Sequence, residues 1–177
     1  MRRWAVLAVV ASLLWAGACS RKQKPDATKG ESSDAFEEQG SASLSPIVHV
    51  ADPKTAGQLL SGWYAVEQGS WRWTAKQFVV DLRTPGPDKP AQLQLKFTLP
   101  DVLISRLGSI TLAATVNGVP LPAETFGKAG DQVYSRALPG AINGNVARVV
   151  FQVDKTLPPN DIDRRELGVV VSSVGLE

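Results

Sequence analysis

Cysteine, histidine and methionine each occur once in the 177 residues. A single thiol, Cys19, excludes an intrachain disulfide, so any folded domain must rest on its apolar core alone. A single histidine, His49, leaves no material for a His/Cys zinc site or for a Cys–His or Ser–His nucleophile system. Long apolar runs are also absent: the longest, Trp4 to Trp15, is interrupted at Ser12 and falls short of the about 20 residues a spanning helix needs. An excess of one charge is missing too. There are 19 basic and 17 acidic residues, and Arg2 and Arg3 lie in the first eighteen positions, leaving 17 of each beyond them. Nucleic-acid binding rests on a basic stripe that releases counterions, and this balance argues against it.

What the N-terminus does contain is ordered by chemistry. Two arginines precede the apolar run, whose length suits a secretory h-region of about 7–15 residues. The small residues Ala16, Gly17 and Ala18 follow and fit the narrow cleft of a signal peptidase. Ala16-Gly17-Ala18-Cys19 resembles the bacterial lipobox, with alanine at a position where leucine is commoner. The resemblance implies cleavage before Cys19, a diacylglyceryl group on its sulfur, and an acyl chain such as palmitate on the new amine. One acyl chain anchors marginally, whereas two or three hold firmly. Ser20 after the cysteine, in place of aspartate, points to the outer membrane before the inner. An ordinary secretory leader with an incidental cysteine and an uncleaved anchor are the alternatives.

Residues 1–18 are therefore read as a lipoprotein signal peptide, and 19–46 as the lipidated cysteine with a flexible tether. From Ser20 to Pro46 the chain is rich in Ser, Lys, Glu, Gly and Gln, with Phe36 its only aromatic residue. Such composition buries too little apolar surface to offset the entropy of ordering it. Residues 47–177 then form one domain, long enough for a real core.

Within that domain the apolar period is mostly two. Leu93, Leu95, Phe97 and Leu99 alternate with Gln94, Lys96 and Thr98 in a half-buried strand. "SITLAATVNGVPL" reads as a hairpin, because Asn117-Gly118 accepts positive φ at both turn positions. "QFVVDL", "QVYSRAL", "NVARVVFQV" and "LGVVVSSV" supply further strands between turn clusters. "PDVLISRLG" predicts one short helix, opened by Pro100, closed by Gly108, with Val102, Leu103 and Leu107 on its inner side. Seven to nine short strands predict an all-β, antiparallel sandwich of the jelly-roll or immunoglobulin kind.

"GWYAVEQGSWRWTAK" holds Trp63, Trp71 and Trp73, the three tryptophans beyond the signal segment. With "VNGVPL" and "DRRELGVVVSSVG" it resembles a β-sandwich domain of uncharacterised bacterial envelope lipoproteins, segments of which are also appended to proteins of glycan synthesis. The likeness covers Leu59 to Gly175. It implies fold and compartment, and brings no catalytic residue with it. On physical grounds, a strand through Trp71-Arg72-Trp73-Thr74 places both indoles on one face and Arg72 on the other. Burying Arg72 unpaired costs several kcal/mol, whereas burying indoles is favourable. The expectation is Trp71 and Trp73 inward and Arg72 outward, with the two indoles as a ligand platform the alternative. Trp63 and Tyr64 follow Gly62 in what reads as a turn, with one ring exposed.

The candidate ligand-binding residues are therefore Trp63, Tyr64, Glu67 and Arg72. No catalytic residue, metal ligand or cofactor is expected. Glu67, Asp81, Asp101, Glu124 and Asp163 could supply the paired carboxylates of a glycosidase, but nothing in the sequence pairs them. Asp154, Asn160, Asp161 and Asp163 offer oxygen ligands for calcium at spacings that match no EF-hand. Asp163 to Glu166 reads as a solvated charge cluster, with a salt bridge to Arg72 as second choice. The function expected is a non-catalytic module in the cell envelope, held to the membrane by lipid, that binds a glycan. A protein–protein adaptor is the alternative. Cys19→Ser should abolish N-terminal lipid mass and move the protein from the detergent to the aqueous phase on partitioning. A wild-type protein without lipid on its N-terminus would contradict the anchor.

Overall fold

The computed structural model describes residues 44–86 and 90–177; Cys19, the signal segment and nearly all of the proposed tether lie outside them. The elements are β1 (Ile47–His49), β2 (Leu59–Glu67), β3 (Trp71–Arg83), β4 (Gln92–Leu99), α1 (Asp101–Leu107), β5 (Ile110–Val116), β6 (Val119–Phe126), β7 (Gly130–Ala137), β8 (Val146–Val153) and β9 (Val170–Leu176). Every strand pairing is antiparallel. The class is the expected one: an all-β sandwich with one short α-helix among the described residues.

Strand β3 belongs to both layers. Its residues Gln77–Arg83 pair with β8, whereas Arg72 and Trp73 pair with β9. One layer therefore runs β6-β5-β8-β3 and the other β3-β9-β4-β7. Strand β2 follows β3 through the change of layer, and three register shifts between Leu59 and Val66 record the bend. Strand β1 lies along β9. On the far side, β7 meets β6: the Tyr134 hydroxyl and Arg136 Nε both donate to the Pro122 carbonyl, at 2.9 and 3.0 Å.

The core fills the space between the layers. Phe78 stacks on Phe151 with centroids 5.0 Å apart, and Tyr134 meets Phe151 edge-on at 6.4 Å. Leu93, Leu95, Phe97 and Leu99 of β4 are all buried, as their alternation predicts. Burial raises the Tyr134 hydroxyl pKa above its ordinary value, with Arg136 opposing and Glu124 reinforcing the shift.

The β5–β6 turn is the predicted one. Asn117 and Gly118 have φ of 49° and 83°, and Val116 pairs with Val119 across them. The helix also forms where predicted, but Val102 is 45% exposed, and Ile104 packs on the core beside buried Leu103. The correction follows from spacing: on a helix, 103, 104 and 107 share one side, and 102 is rotated away from them.

Ser45 and Pro46, at the end of the proposed tether, already engage the domain. Arg83 N donates to the Ser45 carbonyl at 3.1 Å and Leu176 N to the Pro46 carbonyl at 2.8 Å. Buried Gln58 holds them in place, donating to the Ser45 and Asp81 carbonyls and accepting from Ser45 N.

Two glycines at positive φ separate steric from conformational demand. A Cβ on Gly62 would lie 2.0 Å from the Gln77 carbonyl oxygen, at φ +76°. Gly118 has open space, at φ +83°. Gly62→Ala should lower stability by about 3 kcal/mol or more in denaturant unfolding. Gly118→Val should cost about 1–3 kcal/mol through backbone strain alone. Equal effects, or an unchanged melting temperature for either variant, would contradict the bend or the turn.

Candidate functional site

The β2–β3 hairpin carries all four residues expected to bind ligand, but the faces are the reverse of the expectation. Thr74, Phe78, Val80 and Leu82 are buried, so the even positions of β3 face the core, and Arg72 falls on that side. Trp71 and Trp73 lie on the other side, each half-buried, their rings edge to face with centroids 6.4 Å apart. Trp73 touches the rim of the core; neither indole is fully buried. Trp63 is in strand β2, not in a turn. It packs on the core, edge-on to Phe78 at 5.0 Å, and its indole N–H donates to the Val79 carbonyl at 2.8 Å.

The reversal has a local cause. A bulge leaves the Tyr64 carbonyl without a ladder partner, and the chain after β1 leaves the Val50 carbonyl free. Arg72 satisfies both, Nε donating to Val50 O at 2.7 Å and NH1 to Tyr64 O at 2.8 Å. The penalty that should have expelled the guanidinium is met by hydrogen bonds that no sequence pattern announces. Thr74 does similar work one step along, its hydroxyl bonding Val169 O at 3.2 Å and Val169 N at 3.1 Å.

On the outer side, Tyr64 and Glu67 are joined by Arg165, from the segment that leads into β9. The Arg165 guanidinium stands over the Tyr64 ring, 5.2 Å from its centroid. It donates to Glu67 Oε1 at 2.7 Å and to Asp163 Oδ2 at 2.8 Å. The Tyr64 hydroxyl donates to the Glu166 carbonyl at 2.8 Å, closing the cluster. The Asp163–Glu166 segment, read as a solvated charge cluster with a salt bridge to Arg72 as second choice, instead pairs with Glu67 through Arg165. Glu67 and Trp71 are direct cross-strand partners, which puts the charge cluster beside the indole pair.

The side-chain and backbone hydrogen bonds of Arg165 hold the Asp163 carboxyl at a pKa of about 2, and the two carboxylates raise the Arg165 pKa. The folded pKa of Asp163 is depressed, so its contribution is complete above the ordinary carboxylate range and is lost only as pH falls toward 2. The Asp163–Arg165 pair is charged throughout the neutral range.

The four oxygen donors weighed for calcium go to separate partners. Asp154 accepts from Thr111 N, Asn160 caps Ile162 N and Asp163 N, Asp163 binds Arg165, and Asp161 lies 3.6 Å from Arg164. Among the described residues no three His, Cys, Asp or Glu converge on a metal position. His49 is exposed on β1. Arg165 is the member of the cluster that the sequence reading did not place there; Trp71 and Trp73 were expected in the core, with a ligand platform as the alternative.

No family model and no curated protein matches the chain. Solved structures show distant likeness. An exo-beta-1,3-galactanase from Phanerochaete chrysosporium aligns at 12% identity and TM-score 0.40, over 67% of this chain and 25% of that one. A family 35 carbohydrate binding module from an environmental isolate aligns at 12% identity and TM-score 0.41, over 78% and 89%. A carbohydrate-binding module CBM36, solved with calcium and xylotriose, aligns at 8% identity and TM-score 0.38, over 74% and 98%. The chain thus spans a quarter of the galactanase's length. At this level of likeness no residue correspondence follows.

Stability should sort these side chains. Trp63→Ala should cost about 3 kcal/mol and Arg72→Ala about 2 kcal/mol, since one empties a packed site and the other strands two carbonyls. Trp71→Ala should cost about 1 kcal/mol or less. Denaturant unfolding of the three variants checks the order; a Trp71→Ala cost above that of Trp63→Ala would contradict the faces.

Proposed function

We propose that this chain is a lipid-anchored protein of the cell envelope whose sandwich binds a glycan without acting on it. One observation carries the binding: the partly exposed Trp71–Trp73 pair stands beside the fixed Glu67–Arg165–Asp163 cluster. Sugars offer faces of C–H groups and edges of hydroxyls. An indole surface takes the faces, and immobilised charged groups take the edges at little entropic cost, because their own geometry is already set. The anchor rests on the resemblance of Ala16–Cys19 to the lipobox. The carbohydrate-binding modules among the distant structures concern those proteins and add no site to this one.

Catalysis fits the cluster poorly. Glu67 and Asp163 share one guanidinium, and Asp163 is pushed down to about 2, whereas a glycoside hydrolase needs a general acid with a raised pKa. The adaptor alternative calls for a continuous apolar patch or an open strand edge. The large exposed apolar side chains Leu60, Val133 and Ile162 lie on different elements, and Val119 belongs to the apolar depression beside the Asn117–Gly118 turn. Edge strand β6 carries Pro120 and Pro122, which lack the N–H needed for strand addition.

Retention of the full chain on insoluble peptidoglycan, chitin and cellulose tests the reading. Wild type should be retained on at least one. Trp71→Ala should weaken that retention roughly tenfold, as truncation of a binding anchor does, with little change in melting temperature. Wild type retained on none would sink the glycan reading and bring the adaptor forward.

A further inference from the structure

The opposite end of β3 carries a second, different construction. Two open depressions of about 400 and 410 Å³ flank the Asn117–Gly118 turn and share Asn117 as a wall. Each lies within the ordinary size range of small-ligand sites, roughly 300–1,000 Å³. The first is apolar, walled by Val119, Leu121, Leu138 and Ile142, with Asn143 at its rim. The second lies over the outer side of β5 and β8 and contains Asp81, Thr115, Val146 and Arg148.

The polar groups here are held in place. Arg148 binds Asp81 through two parallel bonds, Nε to Oδ1 and NH2 to Oδ2, both 2.9 Å. That fork raises the Arg148 pKa, chiefly through the hydrogen bond, and sets one cation against one anion. Asn117 is tied twice to the same residue: its N–H donates to Arg148 O at 2.9 Å, and its Oδ1 accepts from Arg148 N at 2.8 Å. Its amide carbonyl is used, its orientation is set, and among the described residues no protein acceptor takes its Nδ2 hydrogens. The Thr115 hydroxyl is likewise without a protein partner among them.

From these features we infer that the Asn117 turn is a second ligand site, for an uncharged saccharide segment, which makes the domain bivalent. The ligand class follows from the lining. The charges present cancel within one fork, so an ionic ligand gains no net attraction. Oriented amide and hydroxyl groups beside aliphatic walls match a molecule with hydroxyl edges and C–H faces. The choice of saccharide over other uncharged hydroxylated molecules rests on the glycan reading of the hairpin surface; the existence of the site does not. Trp71 and Asp81 are ten residues apart on one strand, about 33 Å of strand path. Two sites so separated on one rigid element would engage distant units of one polymer, or two polymers, and gain affinity by effective concentration without a new contact.

The test is a titration of the isotope-labelled full chain in detergent micelles, followed by two-dimensional amide spectra. The probes are cellotriose, chitotriose and galactotriose, with trigalacturonate as the charged comparison. The expected result is two separate groups of shifted amides with independent saturation, one at Asn117, Gly118 and Gly140–Asn143 and one at Glu67–Trp73. Ala141→Trp places an indole in the first depression from an exposed loop position. It should remove the first group of shifts and leave the second, and Trp71→Ala should do the converse. Shifts confined to Glu67–Trp73 would overturn the second site and leave the glycan reading standing. Shifts confined to the Asn117 group would uphold the second site and remove the hairpin surface from the account. A response there to trigalacturonate in preference to the neutral sugars would overturn the ligand class. Silence at both places with every probe would overturn both.

Discussion

The passage of one hairpin between two layers is the constraint on which the rest of this domain depends. Strand β3 begins beside β9 and ends beside β8, and β2 must bend with it. The bend brings the Gly62 backbone so close to Gln77 that a Cβ would overlap its carbonyl. It also breaks the ladder, and broken ladders leave carbonyls that must find donors. Arg72 supplies donors from the core side of the strand, to the Tyr64 carbonyl in the bend and to the Val50 carbonyl beside it, and the Thr74 hydroxyl on the same side accepts from Val169 N. Once those two are inside, the two-residue period of a strand turns Trp71 and Trp73 to the other face, where both are partly buried and Trp73 still packs against the core. The candidate surface is thus a consequence of how the layers are joined.

Much of the architecture was legible in the sequence, and the illegible part has one cause. Strand β4, the Asn117–Gly118 hairpin and helix α1 each depend on neighbours a few residues away, so alternation, turn chemistry and end signals suffice to find them. The faces of the tryptophan strand depend on Val50 and Tyr64, whose carbonyls reach Arg72 only in three dimensions. Weighing two indoles against one guanidinium gave the wrong side, because the cost of burying Arg72 was reckoned without its partners. Gly62 misled in the same way: a glycine there reads as a turn, whereas it marks close approach inside a bent strand. Of the four residues singled out, Tyr64 and Glu67 lie in the outer cluster, while Trp63 and Arg72 hold the fold. Arg165 is 98 residues from Glu67 in sequence, and no local pattern could have joined them.

The two ends of β3 differ in kind. At one end aromatic surface lies beside charges fixed by Arg165; at the other, aliphatic walls surround a neutral fork and an oriented amide. Both are stiff before any ligand arrives, which limits the ordering cost of binding. A lipid at Cys19 and a tether would place such a domain within reach of the polymers of its own envelope, where many weak engagements can add.

The faces of the hairpin and the role of its outer surface meet in one measurement: the indole N–H resonances of Trp63, Trp71 and Trp73, followed by hydrogen exchange and then during addition of a soluble fragment of the retained glycan. The account predicts one slowly exchanging indole, that of Trp63 bonded to Val79, unmoved by the sugar, and two faster ones that shift as it binds. A protected Trp71 or Trp73, or a Trp63 signal that moves while the other two stay still, would contradict it.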